Sequence, residues 1–267
     1  TGPYAVGVRQ LALARGMGRP LPTTVWYPAA GVAGGPAQPG APVARGRFPV
    51  VLFSHGLHSE PGRHAALILR WAAAGFVVAA PAYPYTRAAT LAFSRADVRN
   101  QPADAWYVLR EVTALNERPG DAFAGHLDPD RLAAAGHSAG GFTTTGLFTP
   151  GHDPRLRAGI VIAGGGLAGA FAGPPAALLF VHGSADRVVP ITLGRAAYER
   201  VPWPRAFLTM LGQGHGEYLG AGRPGFDPTA AVTTDFLRWG LYRDAAARAR
   251  LAVAGTVSGV AALTTAL

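Results

Sequence analysis

The 267-residue chain predicts an α/β fold: a mostly parallel central sheet with an N-terminal antiparallel strand pair and helices on both faces. Three observations carry that expectation. From residue 48 onward, short unbroken apolar runs alternate with helical stretches, the pattern of strands buried on both faces and joined by crossover helices. Ahead of them, two segments rich in β-branched and aromatic residues alternate enough to pair as strands. Midway, an apolar run leads into GHSAG and then into a helix-compatible stretch, which sets a serine on a strand-to-helix turn.

The elements follow in order. YAVGVRQLALAR (4 to 15) and LPTTVWY (21 to 27) form the N-terminal pair, and the Gly/Pro-rich stretch 29 to 46 is a loop too short to divide two domains. FPVVLFSHG (48 to 56) is a strand, RHAALILRWAAAG (63 to 75) a helix stopped by Gly75, and FVVAAPAY (76 to 83) the next strand. A longer helix, broken by Pro102, runs through 104 to 118, and DRLAAAG (130 to 136) is the strand entering GHSAG. RAGIVIAGGG (157 to 166), AALLFVHGSAD (176 to 186) and RAFLTMLGQGH (205 to 215) supply three more strands, and 227 to 251 reads as one closing helix. No internal repeat is visible, and a single domain spanning 1 to 267 is expected.

Composition excludes several classes. A hydrophobic fraction of 49% with 15% charged residues is that of a globular chain. No apolar stretch approaches the roughly 20 residues needed to cross a bilayer, so a soluble protein without a transmembrane segment is expected. The formal net charge of +9 comes from arginine alone. The arginines are scattered singly, which favours a solubility charge over a nucleic-acid partner. Without cysteine there is no disulfide, thiolate metal site or cysteine nucleophile. The chain starts at Thr1, and a secreted mature form whose leader has been removed is the favoured expectation, with a cytoplasmic one as the alternative.

Ser138 in Gly136-His137-Ser138-Ala139-Gly140 is the candidate nucleophile. An alcohol attacks at neutral pH only with a base in hydrogen-bonding reach and a carboxylate to orient that base. Asp186, after LLFVHGSAD, and His215, after FLTMLGQGH, each end a later strand and supply both. The chain order Ser138, Asp186, His215 is that of α/β-hydrolases. His182 reads as a packed histidine inside its strand, and His137 should point away from the serine. His126 and His152 sit in surface loops, Glu217 is too near His215 in sequence to buttress it, and no strand leads into Asp153. Backbone N–H groups of Ala139 and Leu57 are the candidate oxyanion donors, with Gly56 permitting the close turn. His58 would line the rim. Tyr83, Tyr85 and Gly165 border the strand ends where substrate collects.

With these motifs in place, the chain resembles the serine-esterase branch of the α/β-hydrolases that includes cutinase-like polyester hydrolases, chlorophyllases, dienelactone-hydrolase-like proteins and the platelet-activating-factor acetylhydrolase group. RPLPTTVWYPA, PVVLFSHGL, LDPDRLAAAGHSAGG, VHGSADRVVP and GQGHGEYL carry the likeness. It implies Ser138, Asp186 and His215 as the triad and Leu57 and Ala139 as the oxyanion donors. Where cutinase-like polyesterases carry an aromatic residue and a Trp, this chain has Leu57 and AGGGLAG. The expected activity is carboxylic-ester hydrolysis through an acyl-enzyme, on small-molecule or polymeric esters with an apolar group, by a monomer that needs no cofactor and no metal. An amidase or peptidase using the same triad and a catalytically silent binding protein are the alternatives. Haloalkane dehalogenation is disfavoured because the elbow holds serine rather than aspartate.

Overall fold

Alternating burial decides which face each strand shows to which helix. In the computed structural model, which describes residues 2–267, the strand Phe48–Ser54 is buried throughout. Its Val51 and Phe53 belong to one apolar cluster, while Val50 and Leu52 belong to another on the opposite face. All the strands lie in one ten-stranded sheet. They are β1 (Ala5–Ala14), β2 (Pro20–Ala29), β3 (Gln38–Pro39), β4 (Phe48–Ser54), β5 (Val77–Pro81), β6 (Leu127–His137), β7 (Leu156–Ile162), β8 (Ala177–Gly183), β9 (Arg205–Met210) and β10 (Ala261–Ala266). Their spatial order is β10-β9-β8-β7-β6-β4-β5-β2-β1-β3. The six from β4 to β9 run parallel, while β1 pairs antiparallel with β2, β2 with β5, and β10 with β9.

Helices cover both faces, which gives the α/β-hydrolase architecture. On one side lie α1 (Ala65–Ala73), α5 (Phe226–Tyr242) and α6 (Ala245–Gly255), which bring Ile68, Trp71, Phe236 and Leu251 to the first cluster. The buried Trp71 indole donates to Thr233 Oγ1 at 3.0 Å, joining α1 to α5. On the other side lie α2 (Gln101–Ala114) and α4 (Ile191–Arg200), with Val108, Leu109 and Tyr198 in the second cluster. Between β6 and β7 the short α3 (Ala139–Thr145) begins at the serine turn. Among the described residues no helix is long and apolar enough to cross a membrane.

The elements depart from the sequence reading at four places. Pro102 does not break a helix: it sits in the first turn of α2, where its missing N–H has no intrahelical acceptor to lose. The closing helix is two helices. Arg243 takes a left-handed conformation (φ 56°) and Asp244 caps a new start by accepting the Ala247 N–H at 3.0 Å. After them, residues 261 to 266 form an edge strand, β10, that the sequence reading left unassigned; its small and polar side chains give no strand signal of their own, and its ladder with β9 defines it. The two-residue β3 also lies inside the stretch read as loop.

A charged clamp ties the β1–β2 hairpin to the start of α2. Arg19 holds both oxygens of Asp97 at 2.8 and 2.9 Å and reaches Asp104 through Nε at 2.8 Å, while Arg15 Nε meets Asp104 at 2.7 Å. The Asp104 carboxylate is wholly buried and Asp97 is 6% exposed; loss of Arg19 leaves Asp104 with Arg15 alone and takes from Asp97 the guanidinium that holds both its oxygens. Arg19→Met is expected to lower the unfolding free energy by about 3 to 5 kcal/mol in urea titration. Arg250→Met, which removes the more exposed pair with Asp235, should cost under about 1 kcal/mol.

Candidate active site

Three strand ends converge on one point. Ser138 follows β6, Asp186 follows β8 and His215 follows β9. Ser138 has φ 57° and ψ −120°, a conformation costly for a residue with a Cβ. The neighbouring glycines make it attainable. A Cβ on Gly136 would lie 2.2 Å from the Gly140 carbonyl oxygen, and one on Gly140 would lie 1.9 Å from the Ser54 carbonyl oxygen. No side chain fits at either position, so the elbow can fold this tightly only with glycine at both.

The three polar side chains form one row. His215 Nε2 lies 2.8 Å from Ser138 Oγ, and His215 Nδ1 lies 2.8 Å from Asp186 Oδ2. An ionised carboxylate only accepts, so Nδ1 carries the proton and Nε2 is left to accept from the Ser138 hydroxyl. Burial pushes the Asp186 carboxyl up, but hydrogen bonds from His215 and from the Val189 and Val188 N–H groups outweigh it and hold the group below the usual carboxylate range. His182, in β8, donates from Nε2 to the Val189 carbonyl at 2.8 Å and stands 3.4 Å from Asp186 Oδ2. It is the packed histidine its sequence position suggested, and it flanks the carboxylate.

The oxyanion candidates lie on the other side of the serine. Gly56 packs so closely that a Cβ there would be 3.1 Å from Ser138 Cβ. His55, buried under the loop, accepts the Tyr83 N–H on Nε2 at 3.0 Å, so its Nδ1 carries the proton donated to the Gly56 carbonyl at 2.7 Å. Because the peptide is trans, fixing that carbonyl toward His55 turns the Leu57 N–H the opposite way, out of the core. Among the described residues, neither the Leu57 nor the Ala139 N–H has an intramolecular acceptor. The sequence reading took Ser54-His55-Gly56 chiefly for its glycine and missed this use of His55, whose signal is the His-Gly pair at a strand end.

The substrate-contact candidates separate. His58 is exposed with φ 51° and stacks on Phe93 at 4.0 Å between ring centres. Tyr83 is a correction: it is 0% exposed, and its hydroxyl pairs with Ser54 Oγ at 2.8 Å, so it braces β4 from inside. Tyr85 is likewise engaged elsewhere, donating to the Gly18 carbonyl at 2.9 Å beneath the Arg19 guanidinium. Gly165 is buried, and a Cβ there would come within 2.9 Å of the Phe142 ring; it makes room for that ring and offers no surface to a ligand. Among the apolar side chains, Leu57 and Phe142 are half-buried, and Phe93, Val188 and Leu193 are exposed. A cavity of 570 Å³ between Trp106 and His152 has none of the three row residues in its walls. Among the described residues no cluster of His, Asp and Glu is arranged to hold a metal.

Two further imidazoles stand behind His215. His137, half-buried, and His64, 5% exposed, have their ring centres 5.2 Å apart, and His137 lies 4.9 Å from His215. Desolvation pushes His64 down to about 3 and His137 down to about 4. Both therefore stay neutral in the folded chain while the unfolded chain takes up protons near 6.5. Stability on this account is complete above pH 6.5 and falls as the pH drops toward these lower values, by about 1.4 kcal/mol per pH unit for each group. His64→Phe keeps the ring against Phe53 and removes one protonation site. Its unfolding free energy should exceed that of the wild type at pH 4.5 and approach it at pH 7.5, as read by urea titration at both values.

Comparison with known proteins bears on the N-terminal part. The family model described as platelet-activating factor acetylhydrolase, isoform II, matches residues 2–119, which includes β4 and the Gly56–Leu57 turn and stops short of Ser138. No curated protein matches the chain. The chain is thus an α/β-hydrolase-fold protein that over residues 2–119 is similar to the platelet-activating factor acetylhydrolases, a family of serine esterases.

Proposed function

We propose that the protein hydrolyses carboxylic esters bearing an apolar group, with Ser138 as nucleophile, His215 as general base and acid, and Asp186 as the group that orients His215. The observation that carries this reading is the unbroken row of two 2.8 Å hydrogen bonds from the Ser138 hydroxyl to the buried Asp186 carboxylate. Ser138 Oγ attacks the ester carbonyl carbon as its proton passes to His215 Nε2. The carbonyl electrons move onto oxygen, where the Leu57 and Ala139 N–H groups receive them. Collapse expels the alcohol, which takes the proton from His215 and leaves Ser138 acylated. Water then attacks the acyl carbon, gives its proton to His215, and the acid departs as Ser138 regains that proton. The apolar side chains about the mouth, among them Leu57, Phe142 and Leu193, favour a hydrocarbon acyl or alkyl group over a charged one.

Ser138→Ala is expected to lower p-nitrophenyl ester turnover by several orders of magnitude with an unchanged melting curve, and to abolish labelling by a fluorophosphonate. Retained turnover would reject the nucleophile. Asp186→Asn should keep the geometry while favouring the wrong His215 tautomer, at a cost of roughly 10⁴ in kcat. Activity across esters from acetyl to long chain, with a polyester film as the polymeric extreme and a matching amide in parallel, defines the substrate; a faster amide than ester would overturn the ester reading.

A further inference from the structure

The residue before the serine makes a contact that the chemistry above does not use. His137 ends β6, and its ring reaches the loop that carries His215. Its Nε2 lies 2.6 Å from the His215 main-chain carbonyl oxygen. A carbonyl can only accept, so His137 Nε2 carries the proton and donates it. Gly216, the next residue, has φ 158°, and a Cβ there would come within 2.9 Å of the same Nε2. The loop therefore presses its backbone directly against the ring. Below, the ring meets His64, which is buried against Phe53 and whose Nε2 has no partner among the described residues. Glu217 holds the loop from outside, accepting the Gly216 N–H at 3.3 Å.

We infer that His137 is a positioning residue: its Nε2–H, fixed to the nucleophile elbow, tethers the His215 main chain and so sets the distance between base and nucleophile. The inference rests on the proposed roles of Ser138 and His215. Its physical basis is covalent adjacency. His137 and Ser138 share one peptide, so a bond from the His137 ring to the His215 carbonyl fixes the base loop relative to the serine itself and not merely to the sheet. A displacement of the imidazole by about 1 Å can cost on the order of 10²-fold in rate. The neutral state of His137, which burial enforces, leaves the cation formed on His215 during acyl transfer without a second positive charge 4.9 Å away.

The test compares His137→Gln with His137→Met. The two side chains match in length, but only Gln can place an N–H near the position of Nε2. With p-nitrophenyl acetate, His137→Met should lose 10- to 100-fold in kcat with KM within about twofold, and His137→Gln should recover at least tenfold over His137→Met. Hydrogen exchange of the 212 to 219 backbone, which needs no activity, should accelerate in His137→Met and stay near wild type in His137→Gln. Equal kcat in the two variants, or loop exchange unchanged in His137→Met, would overturn the tether. Failure of the wild type to react with a fluorophosphonate would instead overturn the Ser138 reading, and the exchange comparison would still decide the tether. If His137→Met does not fold, His137→Phe, which also lacks the donor but keeps a ring, takes its place in both measurements.

Discussion

The arrangement depends on a contact between backbones at which no side chain can stand. Gly140 lies over the end of β4 so closely that a Cβ would be 1.9 Å from the Ser54 carbonyl oxygen, and Gly136 is as tightly confined by Gly140. Two consequences follow from this one approach. The chain must turn sharply enough to force Ser138 to a positive φ, and the turn must sit against the strand whose end carries the oxyanion loop. The proposed nucleophile and oxyanion donors are thereby set by the same short piece of packing, before Asp186 or His215 is involved.

Around that contact, histidines in different environments serve different ends, and hydrogen bonding separates them. His215 lies between an acceptor-only carboxylate and a hydroxyl, which defines its tautomer. His55 is fixed in the opposite sense, with Nδ1 donating to Gly56 and Nε2 accepting from Tyr83. His137 and His182 each donate from Nε2 to a main-chain carbonyl. Desolvation drives His55, His64, His137 and His182 away from the charged form. His55, His137 and His182 thus act as neutral, directional donors, and His64 packs beside them without a hydrogen-bond partner for its Nε2 among the described residues.

The charged clamp at the start of α2 connects to the same region through uncharged groups. Gln101, at the start of α2, donates to Thr86 and accepts from Thr143 of α3, all three fully buried. The loop bearing Thr86 also accepts the His58 N–H, so the rim stack of His58 on Phe93 is held by hydrogen bonds that lead back to the helix following Ser138. A buried polar network of this kind stabilises only when every member is satisfied, and here each of the three side chains has a partner.

What the sequence determined by itself was the part governed by local sterics and periodicity: the apolar runs that become β4 to β9, the stop at Gly75, and the glycine pair that permits Ser138 its turn. The order of Ser138, Asp186 and His215 along the chain was equally readable, because each follows a strand that its own residues define. Tertiary structure decided what depends on neighbours far away in sequence. β10 exists because β9 offers it a ladder, not because AALTTA favours a strand. Tyr83 lies at a strand end as expected, but packing turned it inward to Ser54, where it is sealed from any substrate. His137 could be seen beside the serine, but its acceptor is a main-chain carbonyl 78 positions later, and a backbone carbonyl leaves no mark in the residue types of a sequence.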